Sequence, residues 1–344
     1  MSNIITRRAA GSGGRWRRGS AVASIAALSV VLAACGGSGG GTSSSGGSNG
    51  SGSGGAAAAN GLPQGSPGKG KPTITLGTKN FSEEYLLGDL YTRALQAKGF
   101  TVDQKQNIGG SEVIDKAFSS GQIDMYPEYT GEIVSSVAGD KSHPQSAQET
   151  YNKAKSFEEK QRGATLLPQT PFEDIDVVVV KPAFAKEHNL SSIGDLSNVG
   201  PKGKGVTFAA QPPSKTRYQG YLGLKQAYGL TNVKFVGVQV GVTYSALDSG
   251  SANTADVFST DGQLTSGKYK ALEDPKHIMG FQHVAPVIKK SMLQQQGPAF
   301  EQTLNWVNSL LTTEAIQKMN AAVQLNHVDP ATVAKKFLDA NGLK

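Results

Sequence analysis

The sequence predicts an α/β protein of two lobes, a clamshell joined by two crossing strands. Short apolar, β-branched segments alternate with amphipathic helical patterns over residues 73–180, and the alternation resumes after Pro182. A late apolar segment, His283–Ile288, can return the chain to the first unit before three helical patterns close it. These features place lobe 1 at residues 72–181 plus 284–344 and lobe 2 at 182–283, with a cleft between them that closes by hinge motion.

Thr73–Gly77 alternates and breaks at Gly77, as a first strand does. Phe81–Ala97 carries Tyr85, Leu86, Leu90 and Leu95, with Glu83 and Glu84 early and Lys98 late, which suits an amphipathic helix and its dipole. Phe100–Gln106 reads as a strand, and Ser111 as the cap of a helix through Phe118. In Gly121–Glu132, Ile123, Asp124 and Met125 end a short buried strand, and Pro127 and Gly131 punctuate a turn holding Tyr126, Tyr129 and Glu132. Ligands of open α/β sheets bind beyond the carboxyl ends of strands, so this stretch reads either as a binding edge or as a strand–helix joint that Tyr126 and Tyr129 pack. Helices follow through Val137 and from Ser146 to Gln161. Ile175–Val180 suits a strand covered on both faces, apart from Asp176, a carboxylate that a buried strand must pair. These elements imply a parallel first sheet.

In the second unit, Ser192–Leu196 enters a short helix and Val206–Ala210 is a strand. Thr216–Tyr228 reads as a helix, Val233–Val238 as a strand, Thr243–Asp248 as a helix and Ala255–Phe258 as a strand. Phe300–Leu311, Thr313–Val323 and Pro330–Ala340 are the closing helices, the last with Asp329 as N-cap and Pro330 in its first turn.

Residues 1–71 hold no acidic residue and seven basic ones, Arg7, Arg8, Arg15, Arg17, Arg18, Lys69 and Lys71. The chain has 34 basic and 27 acidic residues, so removing those seven leaves 27 of each sign from Pro72 onward. A neutral body lacks the basic footprint that nucleic-acid binding needs. The arginine-rich start, the apolar run Ala21–Ala34 and Leu32-Ala33-Ala34-Cys35 read as an export signal over residues 1–34. The last four residues resemble a bacterial lipobox, which implies cleavage before Cys35, the only cysteine, and its lipidation. Residues 36–71, rich in Gly, Ser and Ala, form a flexible tether to that anchor. The expected location is the outer face of the cell membrane, or the periplasm.

Seven motifs in order resemble the substrate-binding proteins of ABC importers for quaternary amines such as glycine betaine, choline and carnitine. They are Gly77-Thr-Lys-Asn-Phe81, the IDMYPEYTG of residues 123–131, Arg217–Leu224, Phe258-Ser-Thr-Asp-Gly262, Leu272–Lys276, Ala285-Pro-Val287 and Asp329–Leu338. The resemblance implies the two-lobed, type II-like periplasmic-binding-protein fold with ligand held between the lobes. It also implies delivery of that ligand to a permease and its ATPase. Aromatic rings cage the quaternary nitrogen by cation–π attraction, and cations and hydroxyls hold the carboxylate. By this resemblance Tyr129 and Phe258 stand at cage positions, and Lys79 and Arg217 at carboxylate-holding positions. Glu132 stands where a hydroxyl residue is common, and Asp176 and Gln282 stand where two further cage aromatics are expected. A carboxylate and an amide suit a group that donates N–H or O–H, so the expected ligand has its acid at Lys79 and Arg217. Its hydrogen-bonding end then lies near Asp176, Gln282 and Glu132.

An enzyme reading finds no phosphate loop, nucleophile elbow or metal-spaced ligands in the sequence, and the five histidines are scattered. The expectation is a monomeric binding protein without cofactor or metal. A non-betaine amine or amino-acid-like ligand, or a sensor role, is the alternative.

Overall fold

A computed structural model of the protein describes residues 61–239 and 242–343. The expected export signal, Cys35 and most of the tether lie outside them. The elements in order are β1 (Ile74–Gly77), α1 (Ser82–Ala97), β2 (Val102–Lys105), α2 (Ser111–Ser119), β3 (Met125–Tyr129) and α3 (Thr130–Glu132), which runs into a π-helical turn (Ile133–Val137). Then come α4 (Ala147–Phe157), β4 (Ala164–Leu166), β5 (Asp176–Val180), α5 (Pro182–His188), β6 (Thr207–Ala210), α6 (Gly223–Gln226) and β7 (Lys234–Gly237). The chain closes with α7 (Thr243–Asp248), β8 (Thr254–Phe258), β9 (Lys270–Ala271), β10 (Val284–Lys289), α8 (Lys290–Gln296), α9 (Pro298–Leu310), α10 (Thr313–Gln324) and α11 (Pro330–Ala340).

Two five-stranded sheets result, β2-β1-β3-β10-β4 and β7-β6-β8-β5-β9. Each is covered on both faces. Ile74, Leu76, Met125 and Val284 pack under α1 and the C-terminal helices, while Tyr126, Leu166, Ala285 and Val287 pack on the other side. In the second sheet Val178, Val180 and Phe208 face one core, and Val179, Ala209 and Val257 the other.

Four expectations need correction. The first sheet is mixed, because β10 returns antiparallel between β3 and β4. β5 belongs to the second sheet, paired antiparallel with β8 and β9, so the chain crosses before Asp176 and not after Lys181. A run of β-branched residues reports two covered faces, which either sheet can supply. Residues 125–129 are also no turn: they are a buried strand with Pro127 opposite Pro286. Neither proline has an N–H to donate, so a non-hydrogen-bonded pair position accommodates both. Finally, Thr216–Tyr228 is broken: Gln219 and Gly220 leave helical geometry, and regular helix survives only over α6.

The two crossings meet as a short ladder. Glu173 bridges His283, the Asp174 N–H donates to Gln282 O at 3.0 Å, and the His283 Nδ1 lies 2.9 Å from the carbonyl oxygens of Thr170 and Phe172. Beside it, the loop after β8 docks on α10. Gln317 Nε2 donates to Ser259 O at 2.8 Å, Asn320 Nδ2 to Thr260 O at 3.0 Å, and the Gly262 N–H to Gln324 Oε1 at 3.1 Å. A methyl group on Gly262 would lie 2.4 Å from Ala321 Cα, so the two backbones touch there. Gly262→Ala is therefore expected to cost about 1–3 kcal/mol by overpacking a rigid contact, measured as a lowered urea midpoint. An unchanged midpoint contradicts the close docking.

Candidate functional site

Strand direction places the site. The carboxyl ends of the parallel strands β1 and β3, and the amino end of the antiparallel β10, lie on one edge of the first sheet, where Val284 pairs Tyr129. In the second sheet the carboxyl ends of β6, β7 and β8 share an edge with the amino end of β5, where Asp176 pairs Phe258. The crossings enter β5 and β10 at these amino ends, so both edges face the joint between the lobes. Every one of the seven expected site residues lies on or next to one of these edges or the joint. The surface groove of about 690 Å³ beside α4 is lined by none of them.

On the first edge Lys79 is 3% exposed, and its ammonium is already engaged. Nζ lies 2.5 Å from Glu128 Oε1, 3.4 Å from Ser111 Oγ and 3.9 Å from Glu84 Oε1, and it sits 4.1 Å from the centre of the Tyr129 ring. Ser111 is thus a partner of Lys79, and Gly110 takes the capping position at α2. Burial works against the lysine's charge, but Glu128 and Glu84 outweigh it and raise the ammonium's pKa above its ordinary value. Glu84 is pushed up to about 8 by burial, against the pull of Lys79. This lysine is therefore paired with a carboxylate of its own wall before it meets any ligand carboxylate.

Tyr129 is 4% exposed, donates its hydroxyl hydrogen to Glu83 Oε1 at 2.7 Å, and stacks on Phe81 with ring centres 6.2 Å apart. Glu83 also accepts from Asn320 Nδ2 at 2.7 Å, which links Tyr129 to the docked loop after β8. Phe81 is 37% exposed and is the open aromatic of this wall, a residue that sequence reasoning left as the start of a helix.

Glu132 and Gln282 are brought together, but they satisfy each other. The Glu132 N–H donates to Gln282 Oε1 at 3.0 Å, Gln282 Nε2 to Glu132 Oε1 at 3.4 Å, and Ser136 Oγ to Glu132 Oε2 at 2.6 Å. Gly131 permits the contact, since a Cβ there would lie 2.7 Å from Gln282 Oε1. The pair ties the returning crossing to the first lobe.

On the second edge Phe258 is 40% exposed, next to half-buried Asp176. Burial, reinforced by Glu132, pushes the Asp176 carboxyl up to about 7, with Arg217 opposing the shift. Exposed Arg217 makes no ion pair with any described residue, so its guanidinium is available at this edge. Three further carboxyls went unnoticed in the sequence. Asp174 accepts from Thr260 Oγ1 at 2.9 Å, Asp256 from Ser214 Oγ at 3.0 Å, and Asp261 from Tyr244 OH at 3.0 Å. Burial raises all three, Asp261 to about 6. Three other tyrosines are engaged elsewhere: Tyr126 is buried against Phe118, Tyr218 stacks on His143, and Tyr221 donates to Val233 O.

If Lys79 neutralises Glu128, Lys79→Met leaves a buried carboxylate without its partner and should cost about 3–5 kcal/mol. The double variant Lys79→Met/Glu128→Gln should recover at least half of that in urea unfolding. Equal loss in both variants contradicts the pairing.

The profile of the substrate-binding domain of ABC-type glycine betaine transport systems matches residues 72–340. The glycine betaine-binding protein YehZ of Escherichia coli (strain K12) is 26% identical over 277 residues, 78% of this chain and 90% of that protein. A glycine-betaine-binding protein of Pseudomonas aeruginosa is 29% identical over 276 residues, 77% and 87% of the two chains. The structure of apo YehZ superposes with a TM-score of 0.65 at 25% identity, covering 79% of this chain and 99% of that one. A glycine betaine/carnitine/choline ABC transporter structure reaches 0.70 at 20% identity, covering 78% and 99%, and shows the same two-lobed fold. The chain belongs to the family of substrate-binding domains of ABC-type glycine betaine transport systems.

Proposed function

We propose that the protein is the extracytoplasmic solute-binding component of an ABC importer. It captures a small zwitterionic or quaternary-amine-type solute, of the glycine betaine, choline and osmoprotectant kind, between its lobes and delivers it to a permease and its ATPase. The observation that carries this is the edge of the second sheet, where an exposed aromatic, Phe258, adjoins a carboxyl, Asp176, and a guanidinium without an ion pair, Arg217. An aromatic face and a carboxylate attract a cationic nitrogen, and a planar fork meets both oxygens of a carboxylate. Phe81 offers a second open ring on the opposite wall. With Lys79 held by Glu128, Arg217 alone takes the ligand's acid. Tyr129, Glu132 and Gln282 then shape the wall and the joint and do not grip the solute through free polar groups.

We read the protein as a monomeric carrier without catalysis, cofactor or metal. Cys35 supplies a lipid anchor, and residues 36–71 the reach from membrane to permease. Palmitate labelling of the expressed chain, abolished by Cys35→Ala, is the expected result for the anchor. Calorimetry tests the ligand assignment. Arg217→Met should weaken glycine betaine and carnitine about tenfold or more, the worth of a charge-assisted pair, and leave choline, which has no carboxylate, within about twofold. Equal weakening of all three, or none, contradicts the role of Arg217, and no binding of any of them contradicts the solute class.

A further inference from the structure

We infer that Asp256 is a specificity-determining residue, forming with Asp176 a receptor that prefers a cationic head bearing at least two N–H donors over a quaternary one. This rests on the proposed solute-binding reading and narrows it to protonated amines, amidines or guanidines.

Asp176 pairs Phe258 and Val178 pairs Asp256. Cross-strand partners share a face and side chains alternate along a strand, so Asp176, Phe258 and Asp256 lie on one face, at the edge that meets the other lobe. Asp256 is the diagonal neighbour of Asp176, about 7–8 Å away at the backbone. Two carboxyl groups reaching from such positions can meet one small head between them. The protein itself satisfies neither in full. Asp256 Oδ2 accepts from Ser214 Oγ at 3.0 Å, but Oδ1 is buried with no partner among the described residues. Asp176 accepts no hydrogen bond from a described residue, although it is half-buried.

A trimethylammonium head would bring only C–H groups against these acceptors and leave them desolvated and unpaired. A head with two or more N–H groups can donate to Asp176 and to Asp256 Oδ1 together, while its apolar part lies on Phe258. The ligand's own acid remains for Arg217. The surrounding charges predict a pH dependence as well. Burial, with Glu132 and Asp261, pushes the Asp176 carboxyl up while Arg217 pulls it down, and burial with Asp176 raises Asp256. With Asp176 near 7 and Asp256 raised, the empty pair holds a proton at neutral pH that a cation displaces. Affinity for an N–H cation should therefore rise as pH rises through 7, with proton release.

Titration calorimetry of the full chain with glycine, N-methylglycine, N,N-dimethylglycine and glycine betaine varies the N–H count from three to none while keeping the carboxylate. At pH 8 glycine and N-methylglycine should bind at least tenfold tighter than glycine betaine. They should weaken at pH 6 and show binding heats that depend on the buffer's ionisation enthalpy. Asp256→Asn should shrink the preference to under threefold, with circular dichroism and thermal unfolding checking its fold. Ser214→Ala, which removes the hydrogen bond that holds Asp256 and opposes its protonation, should weaken the N–H-bearing members several-fold and leave glycine betaine unchanged. Glycine betaine binding as tightly as the others, with the order unchanged in Asp256→Asn, overturns this inference and leaves the solute-binding reading standing. No binding by any of the four overturns this inference, and the solute-binding reading is then decided by the choline and carnitine titrations above.

Discussion

The ion pair between Lys79 and Glu128 fixes the electrostatics of the first wall of the crevice. Three buried carboxyls, Glu83, Glu84 and Glu128, crowd the edge of the first sheet, and a single buried ammonium stands among them. Carboxylates removed from water repel one another and cost free energy unless they are paired or protonated. Lys79 supplies the pairing, and the rise of Glu84 to about 8 supplies the protonation. The lysine also lies over Tyr129, so the inner face of that ring already has a cation. The first wall thus carries its own counter-charge before any solute arrives, although Glu84 Oε1, Glu128 Oε2, Thr78 Oγ1 and Thr130 Oγ1 are buried there with no hydrogen bond among the described residues. The exposed guanidinium without an ion pair is on the second.

That asymmetry follows from how the chain crosses. β5 and β10 are the antiparallel strands of their sheets, and each begins at the joint. Their amino ends therefore lie beside the carboxyl ends of the parallel strands, which brings both functional edges to one place. The loop from Ser259 to Gly262 then presses against α10 and, through Asn320 and Glu83, connects to Tyr129. Glu132 and Gln282 complete the joint from the other side. Movement of the lobes has to pass through these contacts, so they set the geometry at which the walls meet.

Much of the fold was legible because its elements are short, periodic and well punctuated, and Asp329 does cap the last helix, accepting from the Thr332 N–H at 3.0 Å. The sheet to which Val177–Val180 belongs was not legible, since two covered faces look alike in either lobe. Asp176 stood out as an acid in an apolar strand. Asp256 carries the same signal within Thr254–Phe258 and could have been found by it. Glu83 and Glu84 were hidden by a competing explanation, because acids in a first helical turn suit the dipole even when, as here, they are buried. For Lys79 the position was legible and its partner was not. A lysine next to a binding edge looks free until the fold brings Glu128 within 2.5 Å.

A structure with a bound zwitterionic solute tests this account most directly, through the position of one carboxylate. The account predicts that it sits on Arg217 while Lys79 remains on Glu128, with the cationic end against Phe258 and Asp176. A carboxylate found on Lys79, with the Lys79–Glu128 contact broken, would contradict it.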